Sequence, residues 1–538
     1  MDQSSPPEQL SDAPVQPDTN SDWTVTEDLR LRRFLCYGSQ SATYSAREKQ
    51  RLTPERASTL TELLDAGRGC EVVHEVRQLS RKGGAKSVNP ALFALAAISQ
   101  RTDAEAKRAA YGALGEVCAS PGELFTFVRF KKELSAGGQR GMWGRALRKA
   151  VANWYNGREP LRLARDVTKC MRMGGWSHQD LFRLAHFKPG SDAVALVSKY
   201  VTKGWREVQE VYGGKENPEE VMKVLAYLEA VEKAKHSSDE QEVAHLIEEQ
   251  RLEREHLLTK HLKSTEVWRA LLKDMPLTDL LSHLGKMSVD QVLAPGNPDV
   301  ATVCERIQDE QALLKTKTHP LSITVASETY RRGHGIRGKL KWEPNLDVIQ
   351  ALDSAFYKCL QNVEPSGKRL VLGVDVSSRL GSIALGSCIS TVTVAAAMSL
   401  VITRTEPNSQ VLLFSGGTVV PCPVSTDASL LQITTQLVQA DGSGTDCALP
   451  VTWASENDRT VDVFIILTNN ETWTGRSSPA ETLRTYRRKT SVSSKLIVCA
   501  MTTNIVCVAD PDDGGMLDVG GFDSHAIDVI RNFITDVI

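Results

Sequence analysis

The chain has 538 residues, more than one ordinary hydrophobic core supports, so two or more domains are expected. Its 41% hydrophobic and 24% charged residues are typical of a soluble globular protein, and its net charge of −2 identifies no partner because local blocks can differ sharply. The 11 cysteines include no Cys-x-x-Cys pair, which argues against a zinc ribbon.

Residues 1–22 are rich in Ser, Pro, Asp and Gln and are expected to form a disordered tail. No charged-then-apolar signal segment opens the sequence. The best membrane candidate, 391–403, is too short to span a bilayer and is predicted to be a buried helix. Several cysteines lie inside apolar runs, which fits a reducing compartment. We therefore expect a cytoplasmic protein without a membrane partner, and nuclear entry is compatible with the sequence.

Residues 23 to about 290 show apolar residues at three- and four-residue spacing, interrupted by short breaks that contain Gly, Pro or Ser. Almost nothing alternates as a strand would. Successive amphipathic helices of this length predict stacked helical hairpins, an α-solenoid whose function lies on a broad surface. Residues 291–365 contain both loop-like and helical stretches. Because the pattern changes only at 366, the helical module is predicted to span 23–365.

From residue 366 the pattern changes. Apolar runs at 369–376, 410–414, 461–467 and 495–501 alternate with predicted helices near 384–403, 427–439, 447–456, 479–489 and 524–537. Such alternation predicts a doubly wound α/β domain with a parallel sheet over 366–538. Ligands of these sheets bind at the carboxyl ends of the strands.

Charge is distributed unevenly along the helical module. Residues 124–210 contain 17 Lys and Arg against 7 Asp and Glu, whereas 211–260 contain 7 against 12. Cations neutralise phosphate and aromatic rings stack on unpaired bases, so the basic block is predicted to bind RNA. The candidate contacts are Arg129, Lys131, Lys132, Arg140, Arg145, Arg148, Lys149, Lys169, Arg172, His178, Arg183, His186, Lys199 and Lys203. The alternative is that the aromatics form the core and the cations a solvated face.

A second basic segment runs from Arg331 to Lys341 and contains several glycines, which let the backbone approach a partner closely. A disordered basic loop is an equally good interpretation of this segment.

The apolar run 370–374 leads directly into Asp375, Val376 and Ser377. An Asp-x-Ser sequence at the end of a buried strand can begin a site for a hard divalent cation, which prefers oxygen ligands. The further candidate ligands are Ser378, Thr445 and Asn469, with Asp446 and Glu471 as substitutes. Asn469 brings no charge, so Mg²⁺ or Ca²⁺ is expected to bind weakly or not at all.

No catalytic motif is found: the sequence lacks a G-x-S-x-G elbow, a phosphate-binding P-loop and an HExxH pair. The acidic segment at 509–515 lacks the spacing of a calcium loop and is predicted to be a turn. We therefore expect a binding protein and not an enzyme.

Several long strings resemble the Ro ribonucleoprotein family across nearly the whole chain, from about Asp22 to Ile538. They include Leu-Arg-Arg-Phe-Leu-Cys36, Gly-Met-Trp143-Gly-Arg-Ala-Leu-Arg-Lys-Ala-Val, Gly-Trp176-Ser-His178, Asp274-Met-Pro-Leu-Thr, Gly-Thr445-Asp-Cys-Ala-Leu-Pro and Gly-Phe522-Asp. The resemblance implies HEAT-like helical repeats, the TROVE module, closed into a ring by a von Willebrand factor A-like domain. It also implies a monomeric protein that binds small cytoplasmic Y RNAs on the outer ring surface and the single-stranded ends of misfolded noncoding RNAs in the central hole. These activities would serve RNA quality control and ribonucleoprotein stability.

Lys169, His186 and the Arg145–Lys149 helix match the family's RNA surface, whereas Met171 and Met173 stand where the family can carry further cations. The family's metal pattern in the A domain is Asp-x-Ser-x-Ser with a later Thr and Asp. Here Ser378 runs into Arg379, and Asn469 replaces the expected Asp. These departures weaken the alternative function, a protein-adhesion module whose metal crevice grips an acidic partner. They do not affect the RNA-binding prediction.

Overall fold

The computed structural model describes residues 23–46, 51–82, 87–135, 142–335, 339–377, 381–440, 442, 444–469 and 478–538. The predicted tail 1–22, the candidate RNA contact Arg140 and the candidate metal ligands Ser378 and Glu471 lie outside the described residues, so their predictions stay open.

The first part of the chain is almost entirely helical, as the spacing of its apolar residues predicts. Helices α1 to α19 are, in order, Glu27–Tyr37, Ser58–Asp65, Gly69–Lys82, Asn89–Ile98, Ala104–Val117, Pro121–Leu134, Arg145–Asn156, Pro160–Lys169, His178–Ala185, Asp192–Lys203, Trp205–Tyr212, Glu219–His236, Glu240–Gln250, Thr265–Asp274, Leu277–Val289, Asp299–Ile307, Glu310–Lys315, Pro320–Arg331 and Leu346–Lys358.

Helices α3 to α9 pack in two layers. Helices α3, α5, α7 and α9 contact one another in succession, while α4 packs against α6. Packing between every second helix is what a stack of helical hairpins requires, because each hairpin contributes one helix to each layer. The α-solenoid prediction is confirmed.

Three short strands interrupt the helical part and were not predicted. Strand β1 is Thr43–Ser45, and β2 (Arg172–Met173) and β3 (Trp176–Ser177) form an antiparallel hairpin. Its two-residue turn, Gly174-Gly175, has φ of +58° and +82°. A positive φ at both central residues favours glycine. It is also the geometry of the two-residue turns that join antiparallel strands.

The second part is a doubly wound α/β domain, as predicted. Its elements are β4 (Leu370–Asp375), α20 (Thr391–Thr405), β5 (Ser409–Ser415), β6 (Thr418–Pro421), α21 (Leu430–Gln439), α22 (Leu449–Glu456), β7 (Val463–Thr468), α23 (Pro479–Thr490), β8 (Lys495–Ala500), β9 (Met516–Gly520) and α24 (Ser524–Ile534). The strand order is β1-β9-β8-β7-β4-β5-β6, and every pair is parallel except β5 with β6.

Helices cover both faces of this sheet, so its central strands are apolar throughout. Alternate residues of β4 enter different cores: Leu370, Leu372 and Val374 join one cluster, and Val371 joins the other. Gly373 lets α22 approach closely, because a Cβ there would lie 2.6 Å from Pro450 Cγ. Helix α20 is a buried helix of this layer, as predicted, and among the described residues no helix is long and apolar enough to cross a bilayer.

Both ends of the helical part contact the α/β domain. At the amino end, β1 pairs with β9, and the buried Arg33 donates a hydrogen bond of 3.3 Å to the carbonyl of Gly514. At the other end, α18 packs against α20 and α24. Contact at both ends is necessary for a closed ring, which itself stays a prediction.

Candidate nucleic-acid interface

The predicted basic block is formed by consecutive elements that contact one another. Helix α6 contacts the β2–β3 hairpin, α7 packs against α9, and α9 contacts α10. We call the exposed cations of these elements the basic face. They are Lys132, Arg145, Arg148, Lys149, Arg172, Arg183, His186 and Lys203.

Helix α7 carries the densest group of these cations. Arg145, Arg148 and Lys149 are exposed, and no carboxylate among the described residues lies within 4.0 Å of them. Helix α7 begins after Gly144 with no acidic residue in its first turn. Arg145, at the first position of the helix, opposes the helix dipole and costs stability, an effect that falls off beyond the first turn. A bound anion would offset this cost and would supply a partner for all three cations.

Aromatic rings lie next to these cations at the hairpin. The Trp143 and Trp176 rings meet edge to face at 6.1 Å, and Lys132 Nζ lies 5.6 Å from the Trp176 ring centroid. The hairpin also exposes Met171 (65%) and Met173 (48%). Exposed sulfur and ring surfaces beside cations can receive unpaired bases while the cations meet phosphates.

Four predicted contacts already have carboxylate partners. Lys169 pairs with Glu253, Lys199 with Glu207 at 3.4 Å, Arg129 with Glu133 at 3.4 Å and Arg183 with Asp180 at 3.5 Å. All of these pairs are at least partly exposed, and ion pairs of this kind contribute at most about 1 kcal/mol. An RNA phosphate can therefore replace the carboxylate at small cost.

Lys131 and His178 lie inside the protein, which corrects their prediction as RNA contacts. Lys131 is 3% exposed and donates a hydrogen bond of 2.8 Å to Ser99 Oγ, and burial lowers the pKa of its ammonium to about 8. His178 is 1% exposed and donates from Nε2 to the carbonyl of Cys170 at 3.0 Å. Nδ1 then accepts from Tyr155 Oη at 2.7 Å, and burial lowers the imidazole pKa to about 4.

The sequence interpretation missed the edge-to-face pair Trp143 and Trp176. The signal that could have revealed it is the Gly174-Gly175 dipeptide, which favours a tight hairpin and brings Trp176 back toward the end of α6.

The predicted metal residues meet at the carboxyl ends of β4 and β7. Asp375 is fully buried, its Oδ1 accepts from the Ser377 amide at 3.0 Å, and its Oδ2 accepts from Thr445 Oγ1 at 2.9 Å and Thr468 Oγ1 at 2.7 Å. Asn469 is 1% exposed, and neither amide atom has a hydrogen-bond partner within the described ranges.

This donor set does not fit a tight divalent site. Among the described residues of the set, hydrogen bonds from the protein already occupy both oxygens of Asp375, and the substitute carboxylate Asp446 accepts from the Ala448 amide at 2.9 Å. No group of three or more His, Cys, Asp or Glu suitable for a metal occurs in the described part of the chain. A hard cation needs charge as well as oxygen ligands, so the crevice is better explained as a hydrogen-bonded core of the domain.

Comparison with known proteins shows what the chain is similar to. The family model of the TROVE domain matches residues 17–331, and that of the Ro60 vWA domain matches 369–534. A Caenorhabditis elegans protein named RNA-binding protein RO60 is 31% identical over 574 residues, which cover 96% of this chain and 89% of the relative. The Deinococcus radiodurans protein of the same name is 34% identical over 517 residues, covering 95% and 93%.

A solved structure shows the same fold. The crystal structure of the Deinococcus radiodurans RO (RSR) protein matches with a TM-score of 0.84 and 33% identity, and the match covers 95% of this chain and 100% of that chain.

Proposed function

This chain belongs to the Ro60 family of TROVE-domain proteins, and on that premise we propose that it binds RNA through the basic face of its helical part. The observation that carries the proposal is the group Arg145, Arg148 and Lys149 on α7. These cations are exposed and unpaired among the described residues, and Arg145 is unfavourably placed at the N-terminus of the helix. A bound polyanion would supply the negative charge that these three cations require.

The preferred RNA is folded and carries unpaired nucleotides. Phosphates of a structured RNA meet the α7 cations, and bases that leave the duplex contact Trp176 and the exposed methionines. Small cytoplasmic Y RNAs and misfolded noncoding RNAs with single-stranded ends both have these properties. Binding them would protect the ribonucleoprotein and take part in RNA quality control, without a catalytic step.

The protein is proposed to act as a monomer in the cytoplasm, with access to the nucleus. At the Asp375 crevice we propose that Mg²⁺ or Ca²⁺ binds weakly or not at all, because Asn469 brings no charge and protein hydrogen bonds already occupy the Asp375 carboxylate. A metal-dependent adhesive function of this domain is therefore the less favoured proposal.

Crosslinking in cells, followed by sequencing of the attached RNA, tests the proposal. We expect structured noncoding RNAs with unpaired segments, and their recovery should fall when Arg145, Arg148 and Lys149 are replaced by Gln. If that variant recovers as much RNA as the natural protein, the basic face is not the binding site. Recovery of no RNA by the natural protein would remove the function itself.

A further inference from the structure

A cavity of about 540 Å³ opens beside the basic face, within the range of ~300–1,000 Å³ typical of small-molecule sites. Its walls come from the hairpin, the beginning of α9, the end of α10, the beginning of α11 and one side of α12. Arg172, an exposed cation of the basic face, lies at its edge. An RNA that contacts Arg172 on the basic face would therefore reach the mouth of this cavity.

The cavity has a fixed acceptor. The Glu232 side chain is 15% exposed, and its Oε1 accepts hydrogen bonds from Tyr200 Oη at 2.6 Å and Lys235 Nζ at 2.8 Å. Burial opposes ionisation, but these two hydrogen bonds hold the pKa of Glu232 below its ordinary value, so the group is a carboxylate. Among the described residues no donor reaches its second oxygen, Oε2, which leaves one acceptor for a ligand.

Aromatic and polar groups complete the walls. The Tyr200 and Trp205 rings line the cavity and are partly exposed, as flat surfaces for a planar ligand should be. Gln179 is exposed at the rim and can both donate and accept. Trp205 begins α11, whose cap residue Gly204 has no side chain that could accept from the first amides of that helix.

We propose that this cavity receives one unpaired nucleotide of the bound RNA and prefers a base that carries an exocyclic amino group. The base lies against the Tyr200 and Trp205 rings, its amino group donates to Glu232 Oε2, and Arg172 meets its phosphate. The inference rests on the proposed RNA-binding function and adds a base preference to it.

The carboxylate is the source of that preference. Adenine, cytosine and guanine each offer an amino group, and a carboxylate accepts hydrogen bonds but cannot donate them. Uracil has a single N–H between two carbonyl oxygens, and both oxygens would be repelled by Glu232. Uridine should therefore bind more weakly than adenosine or cytidine in an otherwise identical strand.

The test measures binding of the full chain to short single-stranded oligoadenylate, oligocytidylate and oligouridylate by fluorescence anisotropy at constant salt. The natural protein should bind the first two roughly tenfold more tightly than the third. Glu232→Gln keeps an acceptor for Tyr200 and Lys235 but can also donate, so the preference should disappear. The matched control is Glu229→Gln on the same helix, where Glu229 is 44% exposed and pairs with Lys233.

Trp205→Ala is the second variant and should weaken all three strands by a similar factor, roughly tenfold, because stacking is insensitive to the base. Circular dichroism and the thermal midpoint establish that each variant is folded. Equal affinity of the natural protein for all three strands, or an unchanged preference in Glu232→Gln, would overturn the inference. If structured RNA binds but none of the single strands does, the cavity assignment fails while the proposed function stands. If no RNA of either kind binds, both fail.

Discussion

Neutralising the α7 cations should change the salt dependence of RNA binding in a way that can be calculated. The variant replaces Arg145, Arg148 and Lys149 by Gln, which keeps similar side-chain length and helix propensity. Each phosphate contact contributes roughly 0.7 (single strand) to 0.9 (duplex) to the slope of log affinity against log salt. If all three residues contact phosphates, the slope should become shallower by roughly 2 to 3.

The same contacts give an expected change in affinity. Between about 50 and about 200 mM salt, one contact accounts for roughly a threefold loss of affinity, so three account for roughly 20- to 40-fold. The natural protein should lose that much more affinity than the variant across this range. Fluorescence anisotropy with one structured RNA at several salt concentrations measures both slopes.

Stability separates this result from misfolding. Arg145 opposes the dipole of α7, and none of the three cations has a carboxylate partner among the described residues, so removing them should leave the thermal midpoint unchanged or slightly raised. The control replaces Lys223, Lys233 and Lys273 by Gln. Each of these is paired with a carboxylate, of Glu219, Glu229 and Glu248 respectively. The control should keep the natural slope, and an unchanged slope in the α7 variant would refute the assignment of these cations.

Three other changes have expected outcomes. The pKa of His178 is near its ordinary value of 6.5 in the unfolded chain and about 4 in the folded chain. The stability that neutral His178 contributes is therefore complete above pH 6.5 and is lost as the pH falls toward 4. Urea unfolding should therefore show that the natural protein loses about 2 kcal/mol more than His178→Gln between about pH 7 and about pH 5. The thermal midpoint of the natural protein should not respond to Mg²⁺, whereas Asn469→Asp, with its second carboxylate, should be destabilised without Mg²⁺ and recover with it. Gly515→Ala places a Cβ 2.8 Å from the Trp23 ring and should lower the free energy of unfolding by roughly 1–3 kcal/mol. The control Gly115→Ala adds a Cβ in α5 that meets no neighbouring atom of the described residues within 4 Å, and it should raise the free energy of unfolding slightly because alanine has the higher helix propensity.

The elements that local pattern could predict are those whose apolar residues repeat within one segment. Amphipathic helices such as α3 and α8 show their buried face in the sequence, and β4, β7 and β8 are short apolar runs because helices cover both sides of the sheet. The meeting of Asp375, Thr445 and Asn469 at one sheet edge could also be predicted, because parallel strands place their carboxyl ends together.

The elements that could not be predicted depend on distant parts of the chain. Strand β1 has three residues and is defined by pairing with β9, almost at the other end of the sequence, so no local repeat could identify it. Lys131 is a different case. It follows Phe127 by four positions and therefore lies on the buried face of α6, and helical spacing could have separated it from the exposed Lys132.

The proposed RNA interface combines two physically different contributions, and salt distinguishes them. Phosphate contacts at Arg145, Arg148 and Lys149 release counterions and weaken as salt rises, whereas stacking on Trp176 depends little on ionic strength. Because uncharged Met171 and Met173 lie beside Trp176, this part of the interface should retain its contribution to affinity at high salt. Substituting Trp176 by Ala should lower affinity by a similar factor at every salt concentration and leave the slope unchanged. The α7 variant should therefore change the slope of log affinity against log salt, whereas the Trp176 variant should change only the intercept. The two variants distinguish neighbouring side chains on a single surface.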